Sequence, residues 1–355
     1  MAVVRVLVVD DSLTVRKHLC EILTRDPEVQ VVGEAGDGRR AIELCRELRP
    51  DVVTLDMMLP VMSGLATTEY VMAHFPTPIL VVSASTNRGE VYKTYEALAA
   101  GALDVLDKPA GDEADEEWER RFVSTVKLIA RIRVITHPRA RLPGRDRGAT
   151  TAGGLSVVPE RPVTLVAVGA STGGPGALVE ILRGLPPEFS LPLAIVLHIS
   201  TVFGPSFADW LDAQTERRVA FAHDGEPIAS VTGRVVMAPP ERHLVVREGL
   251  FRLTRDPERH SCRPSVDVLF ESIAQELGPA AAACLLTGMG RDGAAGLLQI
   301  RRAGGLTIAQ DEETSIVYGM PREAVGIAAA VRVLPLGAIA PAIAALDEGA
   351  RGKGR

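Results

Sequence analysis

Short apolar runs and amphipathic segments alternate along the first 135 residues of the chain. The apolar runs are rich in β-branched residues, which is typical of strands buried on both faces of a sheet. The amphipathic segments between them have an apolar position every three or four residues and predict helices. The predicted strands cover 3–9, 29–35, 51–55, 78–83 and 103–107, and the predicted helices include 13–25, 38–48 and 116–132. This alternation predicts a parallel sheet with helices on both faces.

A stretch rich in Pro, Gly, Arg and Thr interrupts the pattern at 137–162, and we interpret it as a linker. After it the alternation resumes and indicates a second α/β domain. Its predicted strands are 164–170, 192–199, 233–239, 243–249, 281–290 and 305–311, and its predicted helices are 175–185, 265–277 and 293–304. We therefore expect a first domain over 1–125, a helix end and flexible linker over 126–161, a second domain over 162–346, and a disordered tail over 347–355.

The composition limits the class of protein. Hydrophobic residues make up 46% of the chain and charged residues 24%, which is ordinary for a soluble globular protein. The net charge of −6 gives no reason to expect nucleic acid as a partner. No apolar run reaches the ~20 residues of a membrane helix, so we expect no membrane insertion. The cysteines Cys20, Cys45, Cys262 and Cys284 lack C-x-x-C spacing, which favours reduced thiols and a cytoplasmic location.

Polar residues stand at the predicted carboxyl ends of the strands in the first domain. Asp10 and Asp11 follow the first strand, and Asp56 follows the third. In an open parallel sheet these ends meet at one edge, where ligands bind. Three carboxylates with no His or Cys nearby favour a hard cation such as Mg²⁺. Ser83 and Lys108 end the fourth and fifth strands, and a hydroxyl and an ammonium facing acids and a metal ion indicate a phosphoryl site.

A simpler interpretation is that each acid only caps the helix after it, as the pair Asp10–Asp11 could do for the predicted helix at 13–25. If only one strand ended in an acid, helix capping would remain the preferred interpretation. The ordered set of two acids, one acid, a serine and a lysine at successive strand ends favours the phosphoryl site.

With this set of residues, the region 1–125 resembles the response-regulator receiver family. The resemblance implies a flavodoxin-like fold and phosphorylation of Asp56 by a histidine kinase. It also implies that the carboxylates of Asp10, Asp11 and Asp56 and the backbone carbonyl of Met58 hold Mg²⁺ for that phosphorylation.

Three positions depart from the receiver pattern. Met58 stands where many receivers of this kind carry an acid, although a backbone ligand survives that change. Val105 stands three positions before Lys108, where receivers often carry an aromatic switch residue. Ser63 replaces the acid of the related pattern P-x-M-D-G. The lifetime of the phosphoryl group and the route of switching are therefore not implied by the resemblance.

The segment VAVGASTGGPG at 166–176 places Ser171 between a predicted strand and a predicted helix. Its glycines could cradle a phosphate, or its bend could present the serine as a nucleophile. A Walker loop needs a terminal G-K-[ST], and a dinucleotide fingerprint needs G-x-G-x-x-G with an acid ~20 residues later; this segment meets neither requirement. The next strand ends in His198, whose imidazole can take a proton from a serine.

Asp292 follows a later strand and could orient the imidazole of His198. Ser171, His198 and Asp292 would then lie at one edge of the same parallel sheet. Taken singly, the serine could be a helix cap, the histidine a structural residue and the aspartate part of a plain turn. Taken together, they favour a Ser-His-Asp triad in a domain without the G-x-S-x-G elbow of the α/β-hydrolases.

Glycines beside these residues suggest where an oxyanion would be bound. Gly173 and Gly174 let the following helix start tightly, so that the backbone N–H groups of Thr172 and Gly173 can face a developing negative charge. The glycines of LTGMGRDG would let the backbone of Met289 approach the same oxygen. The sequence therefore predicts an oxyanion site made of these three backbone groups.

The motifs GASTGG, LHIS, CRPSVD, LTGMGRDG and YGMP, spread over 163–346, resemble those of the chemotaxis protein-glutamate methylesterase family. The resemblance implies a Rossmann-like α/β domain that hydrolyses glutamate methyl esters on the cytoplasmic helices of chemoreceptors and commonly deamidates receptor glutamines. It implies no cofactor for ester hydrolysis. Together with the receiver, it implies a hydrolase that phosphorylation activates. Arg263 of CRPSVD is a candidate contact to the substrate, although a surface salt bridge would explain it equally well.

Two alternatives remain open at this stage. The second domain could be a hydrolase-like module that only binds a partner, which an esterase assay would separate from an enzyme. The second alternative is a nucleotide-dependent oxidoreductase, but the missing acid and the glycine spacing argue against it.

One motif of the second domain departs from the family pattern. The chain has His198-Ile199-Ser200 where relatives commonly have H-M-P, so the resemblance does not define the shape of the substrate groove.

Overall fold

The computed structural model describes residues 3–84, 88–108, 116–132, 134, 161–199 and 203–352, with 88 and 348–352 described by their backbone only. The chain divides into two compact units, 1–145 and 146–355. Most of the predicted linker, Ser200 and the last residues of the predicted tail lie outside the described residues.

The first unit contains a five-stranded parallel sheet. Its strands are β1 (Val4–Val9), β2 (Val29–Ala35), β3 (Val52–Leu55), β4 (Ile79–Ser83) and β5 (Asp104–Asp107), in the order β2-β1-β3-β4-β5. Its helices are α1 (Leu13–Thr24), α2 (Gly38–Leu48), α3 (Gly64–His74), α4 (Arg88–Ala99) and α5 (Glu116–Ile129). The predicted parallel sheet is confirmed. Helix α3 was not among the helices specified above, and its apolar and polar positions do not segregate clearly to opposite faces.

The second unit contains a seven-stranded sheet in which every pairing is parallel. Its strands are β6 (Leu165–Ala170), β7 (Leu193–Leu197), β8 (Val219–Phe221), β10 (Val235–Met237), β13 (Ala281–Leu285), β14 (Leu306–Gln310) and β15 (Arg332–Leu334). The order is β15-β14-β13-β6-β7-β10-β8. The chain leaves β6 towards β7 and later returns to its other side at β13, which makes a topological switch point at β6.

The helices of the second unit are α6 (Gly174–Gly184), α7 (Gly204–Gln214), α8 (Val266–Leu277), α9 (Ala294–Arg302), α10 (Met320–Gly326) and α11 (Leu336–Gly352). Helices α6, α8 and α9 lie where the apolar pattern predicted helices. The inner faces of α8 and α9 join the strands in one buried core. None of the described helices combines the length and the apolar character that crossing a bilayer requires.

A small antiparallel sheet was not predicted. It consists of β9 (Glu226–Pro227), β11 (His243–Arg247) and β12 (Leu250–Thr254). The sequence analysis predicted the strand at 243–249 but assigned no antiparallel partner to it. Glu248 and Gly249 connect β11 and β12 and have φ angles of 54° and 71°. Two residues with positive φ form the tight hairpin turn that antiparallel strands favour.

The C-terminal helix reaches into the segment predicted as a tail. Helix α11 continues to Gly352, and Asp347 within it is only 4% exposed. The Asp347 carboxylate accepts hydrogen bonds from the backbone N–H of Ser190 at 2.8 Å and from its hydroxyl at 2.6 Å. These contacts order the first part of that segment.

Candidate active site

The carboxyl edge of the first sheet carries a buried cluster of charges. Asp10 follows β1 and is 1% exposed, whereas Asp56 follows β3 and is 3% exposed. Lys108 Nζ lies 2.7 Å from Asp10 Oδ2 and 2.9 Å from Asp56 Oδ2. The structure thus brings together the acids and the lysine that the sequence analysis selected.

The pKa values of this cluster reflect competition between burial and pairing. Burial raises the pKa of the Asp10 carboxyl, and the neighbouring Lys108 only partly offsets this. Burial lowers the pKa of Lys108, but the hydrogen bond to Asp56 and the ion pair with Asp10 outweigh it and raise that pKa overall. Lys108 is therefore a cation that neutralises part of the negative charge at this edge.

The donor atoms at this edge fit a small divalent cation. Asp10, Asp11 and Asp56 each offer a carboxylate oxygen, and these atoms lie within 4.8 Å of one another. Asp10 Oδ2 is buried and makes no hydrogen bond of good geometry among the described residues, although Lys108 is close. A set made only of oxygen atoms suits Mg²⁺.

The structure near Asp56 gives a reason for the glycine at position 64 and for the serine at position 63. A Cβ atom on Gly64 would lie 2.4 Å from the backbone oxygen of Asp56, so a side chain at 64 would displace the Asp56 backbone. Ser63 is the N-cap of α3 and its hydroxyl accepts a hydrogen bond from the backbone N–H of Ala66. Ser83 and Val105 are buried in β4 and β5, and Met58 is 43% exposed.

Ser171 occupies the bend between β6 and α6 in the second unit and is partly exposed. Its backbone N–H donates a hydrogen bond to the carbonyl of Thr287 at 3.0 Å, and its carbonyl accepts one from Gly174 at 2.7 Å. The Thr287 hydroxyl in turn donates to the carbonyl of Thr172 at 2.9 Å. These bonds fix the serine loop against the loop that follows β13.

His198 and Asp292 pair directly. His198 follows β7, Asp292 follows β13, and these strands flank β6 in the sheet. His198 Nε2 lies 2.9 Å from Asp292 Oδ2. An ionised carboxylate only accepts, so Nε2 carries the hydrogen and Nδ1 is the nitrogen that remains able to take a proton. Within the described residues, Nδ1 has Cys262 Sγ at 3.8 Å, and no hydrogen bond joins His198 to Ser171.

The start of helix α8 holds the Asp292 carboxylate. Asp292 accepts hydrogen bonds from the backbone N–H groups of Val266 at 2.7 Å and Asp267 at 3.0 Å, and from the hydroxyl of Ser265 at 2.8 Å. Burial raises the pKa of this carboxyl, but His198 and the hydrogen bonds at the helix start outweigh burial and lower it. Asp292 is consequently a stable anion at neutral pH.

The same anion changes the basicity of the imidazole. Burial lowers the pKa of His198, but the hydrogen bonds to Asp292 and Cys262 outweigh it and raise the pKa to about 9. An imidazole held in this way is a strong base once it is neutral.

The backbone around Ser171 leaves donors available for an anion. In the described part of the chain, the N–H groups of Thr172, Gly173 and Met289 donate no hydrogen bond. Gly173 has a φ of 79°, and a Cβ atom there would lie 2.7 Å from the side chain of Ile316. A Cβ on Gly288 would lie 2.8 Å from Ser171 Cβ, so the loop that carries Met289 packs closely against the serine.

The residues that support Asp292 and face His198 were not predicted. Within CRPSVD, only Arg263 was selected as a site residue, and its Nη1 lies 3.4 Å from the carbonyl of Asp256. The structure instead places Cys262 against His198 and makes Ser265 the N-cap of α8. The serine before the apolar pattern of α8 was a detectable cap signal. The contact of Cys262 with a residue 64 positions earlier had no local signal.

Two family models match the chain. The model for the CheB methylesterase covers residues 166–343, and the model for the response regulator receiver domain covers residues 6–115. A protein-glutamate methylesterase/protein-glutamine glutaminase of Nitrosospira multiformis is 43% identical over 347 residues, which is 96% of either chain. The chain belongs to the protein-glutamate methylesterase/protein-glutamine glutaminase family. The protein-glutamate methylesterase/protein-glutamine glutaminase 2 of Anaeromyxobacter dehalogenans is also 43% identical, and the match covers 96% of either chain.

Among solved structures, the methylesterase catalytic domain of Thermotoga maritima CheB is 35% identical, with a TM-score of 0.49; the match covers 52% of this chain and 98% of that one. The methylesterase region of the chain contains Ser171, His198 and Asp292. The receiver region contains the acidic edge and Lys108. Each region that a family model matches thus contains one of the two clusters of reactive side chains.

Proposed function

We propose that this protein is a phosphorylation-activated hydrolase that removes methyl esters from glutamate residues of chemoreceptors and deamidates receptor glutamines. The names of relatives that match nearly the full chain support this reaction. The observation that carries the assignment of residues is the pair His198–Asp292, held at the ends of the strands that flank the strand leading to Ser171.

In the proposed first step, Ser171 Oγ attacks the ester carbonyl while its proton passes to His198 Nδ1. Asp292 holds Nε2–H and stabilises the imidazolium that forms. The carbonyl oxygen becomes an anion, for which the backbone N–H groups of Thr172, Gly173 and Met289 are available donors. The tetrahedral species collapses as His198 gives its proton to the methoxy oxygen, and methanol leaves.

In the second step, a water molecule attacks the acyl-enzyme and gives a proton to His198 Nδ1. Collapse returns that proton to Ser171 Oγ and releases the glutamate side chain as a carboxylic acid, which loses its remaining proton to solvent. With a glutamine substrate, the amide nitrogen takes the proton in the first step and ammonia leaves instead of methanol. Neither route requires a cofactor, because the serine, the imidazole and water carry out every proton transfer and the backbone donors stabilise the oxyanion.

In the receiver unit, we propose that Asp56 accepts a phosphoryl group from a histidine kinase. The carboxylates of Asp10 and Asp11, with Asp56 and the Met58 carbonyl, would hold Mg²⁺. When bound, this ion would neutralise charge on the phosphoryl oxygens. Lys108 would pair with a phosphoryl oxygen in place of its present contact to Asp56, and Ser83 would donate a hydrogen bond.

The decisive experiment measures methanol released from a methylated chemoreceptor by the full chain, with and without acetyl phosphate as phosphodonor. We expect release that the phosphodonor accelerates. Ser171→Ala should lower the rate by several orders of magnitude, because the backbone donors and substrate binding alone remain. It should change stability little, since the N-cap of α6 is Gly173 and no side-chain hydrogen bond caps that helix. Turnover by Ser171→Ala near the parent rate would contradict the assignment.

A further inference from the structure

The side chain that faces the free nitrogen of His198 is a thiol. Cys262 Sγ lies 3.8 Å from His198 Nδ1, on the side of the ring opposite Asp292. Cys262 is partly exposed, whereas Cys20, Cys45 and Cys284 are buried. The reaction proposed above gives Cys262 no role.

The distance between these two atoms suits a single metal ion. Zinc is bound at about 2.3 Å by sulfur and about 2.0–2.1 Å by an imidazole nitrogen. An ion at those lengths from Cys262 Sγ and His198 Nδ1 would make an angle of about 120° at the metal, close to tetrahedral geometry. The ligand atoms of His198, Cys262 and Asp292 lie within 4.8 Å of one another.

The other side of the imidazole is arranged as in known metal sites. A histidine that binds a metal usually donates its second ring N–H to a carboxylate, which fixes the ring and makes the first nitrogen more basic. Here His198 Nε2–H donates to Asp292, whose carboxylate is itself held by α8. Nδ1 is therefore presented to Cys262 as a fixed, electron-rich ligand.

The segment that carries the thiol is also fixed. The backbones of Cys262 and Arg259 exchange hydrogen bonds of 2.9 and 3.2 Å. The Arg259 guanidinium makes two hydrogen bonds to the Glu271 carboxylate of α8, at 2.6 and 2.7 Å. Helix α8 thus positions both Asp292 and the thiol, so that a metal ion would find both protein ligands in place.

We propose that Cys262 Sγ and His198 Nδ1 form a binding site for a soft divalent cation such as Zn²⁺, and that the bound ion inhibits the hydrolase. Two protein ligands leave two tetrahedral positions for water, so we expect the ion to be held less tightly than at a structural site with four protein ligands. An ion on Nδ1 occupies the lone pair that would take the proton of Ser171. The inhibition rests on the proposed function, whereas the binding of the ion does not.

The test uses the full chain in excess Mg²⁺, so that the acidic edge of the receiver does not compete for the added ion. Binding is measured with Co²⁺ as a probe, whose bond to a thiolate gives a charge-transfer absorption band. Inhibition is measured as the Zn²⁺ concentration that halves methanol release, with each variant compared with its own metal-free rate. The variants are Cys262→Ala, the conservative Cys262→Ser and the control Cys20→Ala.

We expect the parent and Cys20→Ala to show the band and to be inhibited by Zn²⁺, with activity restored by a chelator. Cys262→Ala should lack the band and need at least about 10-fold more Zn²⁺, because loss of even an outer partner of a metal ligand costs ~10–100-fold in affinity. Cys262→Ser should lose the band in the same way and covers the case in which the alanine variant misfolds.

An absent band in the parent, or equal Zn²⁺ sensitivity in all variants, would overturn the metal site and leave the proposed function untouched. A band without inhibition would overturn the claim that the ion blocks the reaction, and with it the role of Nδ1 as the base. If the parent released no methanol, the proposed function would fail, while the band would still decide whether the ion binds.

Discussion

Ser265 links the start of helix α8 to Asp292. Its hydroxyl donates a hydrogen bond to Asp292 Oδ1 at 2.8 Å and accepts one from the backbone N–H of Val268 at 3.4 Å. One side chain therefore caps the helix and orients the carboxylate that holds His198. A helix start that stabilises an anion in this way also fixes where that anion lies.

Replacing Ser265 should affect stability and activity separately. Ser265→Ala should lower the free energy of unfolding by about 1 kcal/mol through the lost cap. It should also lower kcat by up to about 10-fold with little change in KM, because a loss of ~1.4 kcal/mol in orienting His198 corresponds to that factor. Ser63→Ala is the control, since it removes a cap of the same type from α3 in the receiver. Equal effects of both variants on kcat would show that Ser265 acts only as a cap.

The pH dependence of hydrolysis should report His198. Only the neutral imidazole can take the proton of Ser171, and its pKa is raised to about 9. We expect kcat/KM to rise with pH by about tenfold per unit below that value and to level off above it. Cys262→Ala should move the midpoint to lower pH, because the interaction with the sulfur of Cys262 favours the imidazolium and helps to raise this pKa. A profile that is already level at pH 7 in the parent would contradict this prediction.

Phosphorylation of the receiver should require both the metal and the clustered acids. We expect acetyl phosphate to modify the full chain in Mg²⁺ and to fail in excess chelator. Asp56→Asn should abolish the modification by removing the acceptor, and Asp11→Asn should nearly abolish it, since no other nearby group replaces that anionic oxygen. Asp37→Asn is the control, because Asp37 caps α2 with an exposed carboxylate outside the cluster. Mass spectrometry of the intact chain measures the result.

The receiver should restrain the hydrolase until it is phosphorylated. Deleting residues 1–150 should raise methanol release without any phosphodonor, and Asp56→Asn should keep the full chain slow. A coupling of ~1–3 kcal/mol between two sites corresponds to about 5- to 150-fold in activity. Both measurements use a methylated receptor as substrate. If the shortened protein is no faster than the unphosphorylated full chain, the receiver does not restrain the hydrolase, even where every other prediction holds.

The sequence predicted the parts of the site that depend on parallel strands. Buried strands such as β6 appear as continuous apolar runs, and residues that follow neighbouring parallel strands meet at one edge. Ser171, His198 and Asp292 were selected by that reasoning, and the structure pairs the last two. The hairpin of β11 and β12 was missed because its apolar run is equally compatible with a parallel strand.

Contacts that depend on tertiary packing left no local pattern. Cys262 meets His198 across 64 positions of sequence, and Asp292 meets Val266 across 26. Neither pair shares a helix face or a strand ladder. The position of α8, which makes both contacts possible, follows from its buried face in the core and not from any single motif.

The hydrogen bonds between Asp347 and Ser190 bear on the order in which the two units can fold during synthesis. The two residues are 157 positions apart, so Ser190 gains this partner only after residue 347 has been synthesised. Strand β6 likewise waits for β13 before both of its edges are paired. The strands of the receiver sheet all precede residue 108. During translation the receiver can therefore be complete while the hydrolase still exposes unpaired strand edges, which makes the nascent second unit the part most exposed to aggregation.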